Sequence, residues 1–136
     1  MKQNAGWADV LKLRDEVVAT DGSVGELQMS LSKAVYQTVP VPYAKVDYYA
    51  DITQPTPRLV GFLGRVARRL GVTGLDSQAC FHLDQGMGGG KSHALVGLWH
   101  LVHDPAAFTA TDLGAAVLKE AKSGGYAVIL DDVLPV

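Results

Sequence analysis

The sequence has little cysteine, no long apolar run and almost no net charge, and each shortage excludes a class of protein. Its one cysteine, Cys80, allows no internal disulfide and no cysteine-based zinc site, which favours a reducing compartment. The longest apolar stretch, residues 95–102, is far shorter than the roughly 20 residues that span a bilayer. The first residues also lack the apolar core of a secretory signal. We therefore expect a cytoplasmic protein that does not enter a membrane.

Charge and histidine content exclude two further classes. The 12 basic and 14 acidic residues give a net charge of −2, which argues against a strongly basic nucleic-acid binder. His82, His93, His100 and His103 have no carboxylate or cysteine at a matching ligand spacing, so structural or solvated roles are favoured over a metal site. A chain of 136 residues still buries roughly two-thirds of its unfolded surface, so a sizeable core is expected.

Residues 1–76 show the patterns of a helical N-terminal element. Apolar residues recur at helical spacing over 7–18, and a capping box at Ser23 predicts a second helix to about residue 37. Prolines predict an irregular connector over 40–55, packed through its tyrosines. Thr56 as cap and Pro57 at the first helical position then predict a third helix that ends at Gly71.

Residues 77–136 have a different pattern, typical of an α/β layer. Short apolar runs at 78–83 and 126–130 predict two buried strands, separated by a glycine-rich loop and two helices. The helices are expected over 91–103 and from 112 to about 122, the second capped by Thr111. The predicted fold is α/β: a helical element followed by the start of a three-layer αβα nucleotide-binding domain.

The loop between the first strand and its helix carries the candidate site. A backbone that wraps a polyphosphate needs dihedral angles that glycine adopts readily, and the following helix adds the positive end of its dipole. Lys91 is predicted to reach the terminal phosphates as the catalytic cation, and the Ser92 hydroxyl to ligate Mg²⁺. The predicted nucleotide-binding residues are Gly86, Met87, Gly88, Gly89, Gly90, Lys91, Ser92 and His93.

Two features leave alternatives open. Gln85 stands where the strict phosphate-loop pattern has its first glycine, so either Gly86 takes over the turn or nucleotide affinity is reduced. The other interpretation of the glycine-rich segment is a flexible linker. Asp131, after the second predicted strand, resembles a magnesium-binding acid, but a strand that ends in solvent-facing acids gives the same pattern. A cluster at Arg65, Arg68 and Arg69 is more typical of a solvated face than of a contact with nucleic acid.

Several segments together resemble the N-terminal portion of large prokaryotic AAA-like ATP-binding proteins, long catalogued as a domain of unknown function. Members tend to be encoded beside DNA methyltransferases and helicases in phage-defence clusters. The resemblance covers nearly the whole chain, and Gly-Gly-Gly-Lys-Ser-His at 88–93 is its most specific part. The other segments that carry it are Trp7 with 10–17, 25–27, 48–53, 56–59, Ala94-Leu95 and 99–101.

The resemblance implies ATP and Mg²⁺ as cofactors, with hydrolysis used to remodel a protein or DNA-associated partner. Members of that family are several times longer and oligomers are possible in them, so we expect this chain to be a fragment with an incomplete catalytic site. A different hypothesis is a helical protein-interaction module whose loop no longer binds nucleotide. A small-molecule kinase is disfavoured because no acceptor-site residues are identifiable.

Overall fold

The computed structural model describes residues 6, 11–15, 18, 28–37, 40–72, 79–84, 86, 88 and 90–130. Over these residues the chain is helical. The α-helices with described bounds are α1 (Leu31–Tyr36), α2 (Val46–Asp51), α3 (Pro57–Gly71), α4 (Lys91–His103), α5 (Pro105–Thr109) and α6 (Asp112–Ala121), and a 3₁₀ helix at Pro42–Ala44 precedes α2. None of these helices has both the length and the apolar character needed to cross a membrane.

Capping residues set where three of the helices begin. The Thr56 hydroxyl accepts from the N–H of Leu59 at the start of α3, and Asp104 accepts from Ala107 at the start of α5. Thr111 accepts from Gly114 at the start of α6. Each cap satisfies an N–H group that the helix itself leaves unpaired. The predicted starts of the third helix and of the helix after Thr111 are therefore confirmed.

The core lies where α3 packs against α6 and α4. Gly64 allows the close approach of α3 to α6, because a Cβ atom there would lie 2.7 Å from Cγ of Glu120. Arg68, predicted to be on a solvated face, instead donates to the carbonyls of Ala121 and Glu120 at 2.8 Å and so caps the end of α6. The fully buried large side chains are Tyr49, Leu63, Val96, Leu101, Phe108 and Val117.

The proline-bearing segment 40–55 is packed through its tyrosines, as predicted, but the expected irregular connector is wrong, because the segment contains the 3₁₀ helix Pro42–Ala44 and helix α2. Tyr43 is 3% exposed and Tyr49 is fully buried. The Tyr43 hydroxyl accepts from the N–H of Ser30 and donates to the carbonyl of Gln28. These bonds engage backbone groups that a longer helix would use, and α1 accordingly begins at Leu31, later than the pattern predicts.

The predicted α/β fold is wrong, since the described residues contain no strand. The two segments expected to be strands lack strand pairing in their described parts, 79–84 and 126–130. In the second, Val128 and Leu130 are buried and Ile129 is 66% exposed, yet Ile129 donates to the carbonyl of Gly71 at the end of α3. An alternation of apolar residues indicates only that one face of the segment is buried. In residues 126–130 that face packs against helices and not against a neighbouring strand. A three-layer αβα domain is therefore not present in the described residues, which are all-α.

Some predictions fall outside the described residues. These are half of the first helix (residues 7–10, 16 and 17), the capping box at Ser23, the boundary at 76, and the positions Gln85, Met87, Gly89 and Asp131. In the described part of the first predicted helix, Asp15 and Val18 are helical, but residues 11–14 are not, so the prediction is wrong there. Leu11, expected on its apolar face, is 66% exposed. Nearby, Arg14 pairs with Asp51 of α2 and lies over the ring of Tyr48.

Candidate phosphate site at the start of helix α4

The glycine-rich loop has the left-handed backbone that favours glycine at two of its three described glycines, Gly88 and Gly90, but not at Gly86. Gly88 and Gly90 have φ values of 79° and 82°, in the left-handed region. A Cβ atom at either position would meet nothing within 4 Å, so conformation rather than space selects glycine there. The loop therefore enters α4 through a turn that other residues adopt only at a cost.

The first turn of α4 has no side-chain cap. Gly90 is the N-cap residue and has no side chain that could accept a hydrogen bond. Among the described residues, the N–H groups of Ser92 and His93 find no acceptor. This contrasts with α3, α5 and α6, whose caps are made by Thr56, Asp104 and Thr111. The absence of a side-chain cap and the positive end of the helix dipole together favour an anion at this point.

The side chain of Lys91 folds back over the loop. Its Nζ atom donates to the carbonyl oxygen of Gly86 at 3.0 Å. The ammonium group thus lies beside the loop that ends at Gly90 and is held near the open first turn of α4. A phosphate bound there would offer oxygen acceptors of opposite charge in place of, or beside, that neutral carbonyl.

Ser92 is exposed and lies on a different side of α4 from its neighbours. It lines a groove formed with residues 28–33, whereas Lys91 and His93 line a separate cavity. Successive residues of an α-helix project about 100° apart, which accounts for this separation. The Ser92 hydroxyl is accessible, and the residues of its groove include no carboxylate.

The cavity beside the loop has a volume of about 280 Å³, and the starts of both α3 and α4 line it. The described residues that line it include two cations, Arg58 and Lys91, and no acidic residue. These described residues are Thr53, Gln54, Thr56, Arg58, Leu59, Phe62, Leu83, Gly90, Lys91, His93 and Ala94. Two cations and two helix N-termini make this a favourable environment for an anion.

A hydrogen-bond network holds the first turn of α4 against α2. The hydroxyl of Tyr49 donates to the carbonyl of His93 at 2.8 Å, and the two rings lie 5.0 Å apart. The Nε2 atom of His93 lies 2.7 Å from Oγ1 of Thr53, whose hydroxyl donates to the carbonyl of Tyr49. Burial raises the pKa of Tyr49 and lowers that of His93. The network therefore holds a neutral histidine in the cavity wall.

Sequence reasoning identified the α4 side of this cavity and missed the other side. Thr53, Gln54 and Arg58 come from the segment before α3 and from its first turn. No spacing in the sequence relates them to the loop, because only the packing of α3 beside α4 brings them there. Arg58 stands directly after the cap and Pro57, where a cation has no local helical function. The position of Arg58 in the sequence was the one signal that could have pointed to the α3 side of the cavity.

The other histidines and the cysteine considered in the sequence do not line the cavity beside the loop. His100 is buried, its Nε2 atom lies 2.9 Å from the carbonyl of Tyr43, and burial lowers its pKa. His103 stacks on Trp99 at 4.9 Å. Cys80, expected in a buried strand, is exposed. Within the described part of the chain no cluster of three or more His, Cys, Asp or Glu side chains could hold a metal ion.

Comparisons of the chain with models of protein families, with curated proteins and with solved structures find no match. The function must therefore be inferred from the geometry of the site.

Proposed function

We propose that this protein binds the phosphates of a nucleotide at the start of α4, with ATP as the ligand that its resemblance to AAA-like ATP-binding proteins implies. The glycine loop and the N–H groups of Ser92 and His93 would donate to phosphate oxygens, and Lys91 would supply the positive charge. Binding of this kind needs no strand before the loop, because the donors belong to the loop and the helix. The proposal is thus independent of the α/β fold.

One observation carries the proposal: the ammonium group of Lys91 is held 3.0 Å from the Gly86 carbonyl, beside a helix start that no side chain caps. A flexible linker would give no reason for this arrangement. The adjoining cavity supports it further, because the described residues that line it combine Arg58 with Lys91 and include no carboxylate to repel a phosphate.

Mg²⁺ would arrive with the nucleotide, but the structure does not bring its predicted ligand to the side of α4 where Lys91 lies, since Ser92 lines the separate groove formed with residues 28–33. Phosphate oxygens and water would then be the ligands of the ion, which would neutralise phosphate charge. We expect hydrolysis by this chain alone to be slow, since the described residues that line the cavity include no acidic side chain to position water.

The resemblance extends the proposal to a biological setting. ATP binding would support remodelling of a protein or DNA-associated partner in a phage-defence or DNA-modification system, with oligomers in a longer protein. This part rests on the resemblance alone.

Titration calorimetry with ATP and Mg²⁺ tests the proposal on three proteins: the unmodified chain, Lys91→Ala and the control Lys119→Ala. Lys119 is an exposed lysine in α6, away from the cavity. We expect Lys91→Ala to weaken binding at least about tenfold, which corresponds to about 1.4 kcal/mol, and Lys119→Ala to leave it unchanged.

Absence of ATP binding by the unmodified chain would contradict the proposal and favour the helical interaction module. Equal binding by the unmodified chain and Lys91→Ala would also contradict it, because the nucleotide would then lie elsewhere.

A further inference from the structure

The cavity beside the loop has an apolar wall that phosphate alone would not use. Leu59 and Phe62 of α3 face it together with Leu83 of the segment before the loop. Phe62 is held in place by an edge-to-face contact with Phe81, the ring centroids being 6.1 Å apart. Burying a planar apolar group against such a wall is favourable, in proportion to the area removed from water.

The cavity and the phosphate site are continuous. Gly90 and Lys91 belong to the loop and helix start proposed to hold phosphate, and both also line the cavity. The volume of about 280 Å³ lies just below the range of roughly 300–1,000 Å³ that accommodates drug-sized ligands. A ligand with phosphates at α4 could therefore place a group of nucleoside size in the cavity.

His93 adds a hydrogen-bond acceptor of defined chemistry to the cavity wall. The Thr53 hydroxyl has one hydrogen, which it donates to the carbonyl of Tyr49. Thr53 must then accept from Nε2–H of His93, at 2.7 Å. In the neutral ring this leaves Nδ1 without a proton, and among the described residues Nδ1 has no hydrogen-bond partner. Burial, which lowers the pKa of His93, keeps the ring in this neutral form.

We propose that the cavity is the nucleoside subsite of the phosphate site, with the base packed against Leu59, Phe62 and Leu83 and with Nδ1 of His93 accepting a hydrogen bond from the nucleoside. This inference rests on the proposed function and deepens it. Phosphate contacts would supply affinity for any polyphosphate, whereas the cavity would select a ligand that carries a base and an N–H or O–H donor. His93 is thus a specificity-determining residue, held in orientation by Thr53.

The experiment compares ATP with inorganic tripolyphosphate, both with Mg²⁺, by titration calorimetry on four proteins. These are the unmodified chain, Ala94→Leu, which fills the cavity from α4, His93→Gln, and the control Ala115→Leu. Ala115 is an exposed alanine of α6, so it receives the same change away from the cavity. The glutamine amide can still donate to Thr53, and its acceptor is an amide oxygen in place of the ring nitrogen Nδ1.

We expect the unmodified chain and Ala115→Leu to bind ATP at least about tenfold more tightly than tripolyphosphate, because only ATP buries a base. Ala94→Leu should lose most of this preference while keeping its affinity for tripolyphosphate, which also shows that this variant is folded. His93→Gln should lower the ratio of the ATP affinity to the tripolyphosphate affinity.

Two results would overturn the inference. Equal affinities of the unmodified chain for ATP and tripolyphosphate would show that the base contributes nothing, and the proposed phosphate site would stand alone. A preference for ATP that survives both cavity variants would place the base elsewhere. If the unmodified chain binds neither ligand, the proposed function fails, and the nucleoside subsite fails with it.

Discussion

The starts of α3 and α4 line the same cavity but satisfy their backbone N–H groups differently. At α3 the Thr56 hydroxyl accepts from Leu59, so a side chain completes the first turn. At α4 the N-cap is Gly90, with φ at 82°, and no side chain takes that role. Among the helices with described bounds, α3, α5 and α6 have a side-chain cap and α1, α2 and α4 have none; of those with ten or more residues, α4 alone lacks one.

The difference suggests that the starts of α3 and α4 have different functions. A capped helix start contributes to the stability of the fold, whereas one with open N–H groups beside a lysine is suited to an anion from outside. The first turn of α4 does not rely on a cap for its position, because Tyr49 and Thr53 hold it through His93. The following changes would break or sharpen this contrast.

The largest effect should come from placing a negative charge at the start of α4. We expect Gly90→Asp to weaken ATP binding about 100-fold, because the carboxylate would compete for the N–H groups and repel phosphate. Gly90→Asn is the matched neutral control, since both residues tolerate the left-handed conformation better than most. Titration calorimetry should give a loss below about tenfold for Asn. Equal losses for the two variants would show that charge at this point is unimportant.

Removing the cap of α3 should instead affect stability. We expect Thr56→Ala to lower the free energy of unfolding by about 1 kcal/mol, as measured by urea denaturation. Thr111→Ala removes the corresponding cap of α6, away from the cavity, and should cost a similar amount. Abolition of ATP binding by Thr56→Ala alone would mean that the phosphates lie at α3 and would reverse the assignment of the two ends.

The cation on the α3 side should contribute less than Lys91. Arg58 is exposed, so water and salt screen its charge, and we expect Arg58→Gln to weaken ATP binding about two- to fivefold. The loss should shrink as salt is raised. Arg65→Gln, an exposed arginine further along α3 and outside the cavity lining, is the control. A loss of ATP affinity as large as that of Lys91→Ala would show that the starts of α3 and α4 contribute equally to binding.

The smallest effect should come from a change of pH near neutrality, measured on the free energy of unfolding. Burial lowers the pKa values of His93 and His100 below their ordinary value of 6.5. The unfolded chain then binds more protons below about pH 6.5, so the contribution to stability is complete above that pH and is lost as the pH falls. Urea denaturation should show a nearly constant free energy of unfolding from about pH 8 to 7 and a decline towards pH 5. A rise on acidification would contradict the burial of these rings.

Local signals in the sequence predicted the starts of α3 and α6, but they predicted neither α2 nor α5, and they predicted the layers of the fold badly. Thr56 with Pro57, and Thr111, act within one turn, so the starts of α3 and α6 could be predicted. The alternation at 126–130 was equally clear, but it indicates only which side chains are buried. Whether Val128 meets a strand or a helix depends on elements distant in sequence, and here Ile129 bonds to the end of α3.

The candidate site likewise has residues that the sequence predicts and residues that it does not. Lys91 and Ser92 follow a glycine-rich motif, so the sequence alone singles them out. Thr53 and Arg58 reach the cavity only through the packing of α3 beside α4, which no local pattern encodes. The packing of α3 against α6 likewise explains why Arg68 caps α6 rather than facing solvent as predicted.

The most direct test of the central claim is the chemical shift of individual backbone amides during a titration of the ¹⁵N-labelled chain with ATP and Mg²⁺. Phosphate held at the start of α4 should shift the N–H signals of Gly88, Gly90, Ser92 and His93 most, and should shift that of Leu59, already bonded to Thr56, much less. Saturating ATP that leaves the α4 signals unmoved, or that moves those of α3 alone, would contradict the account.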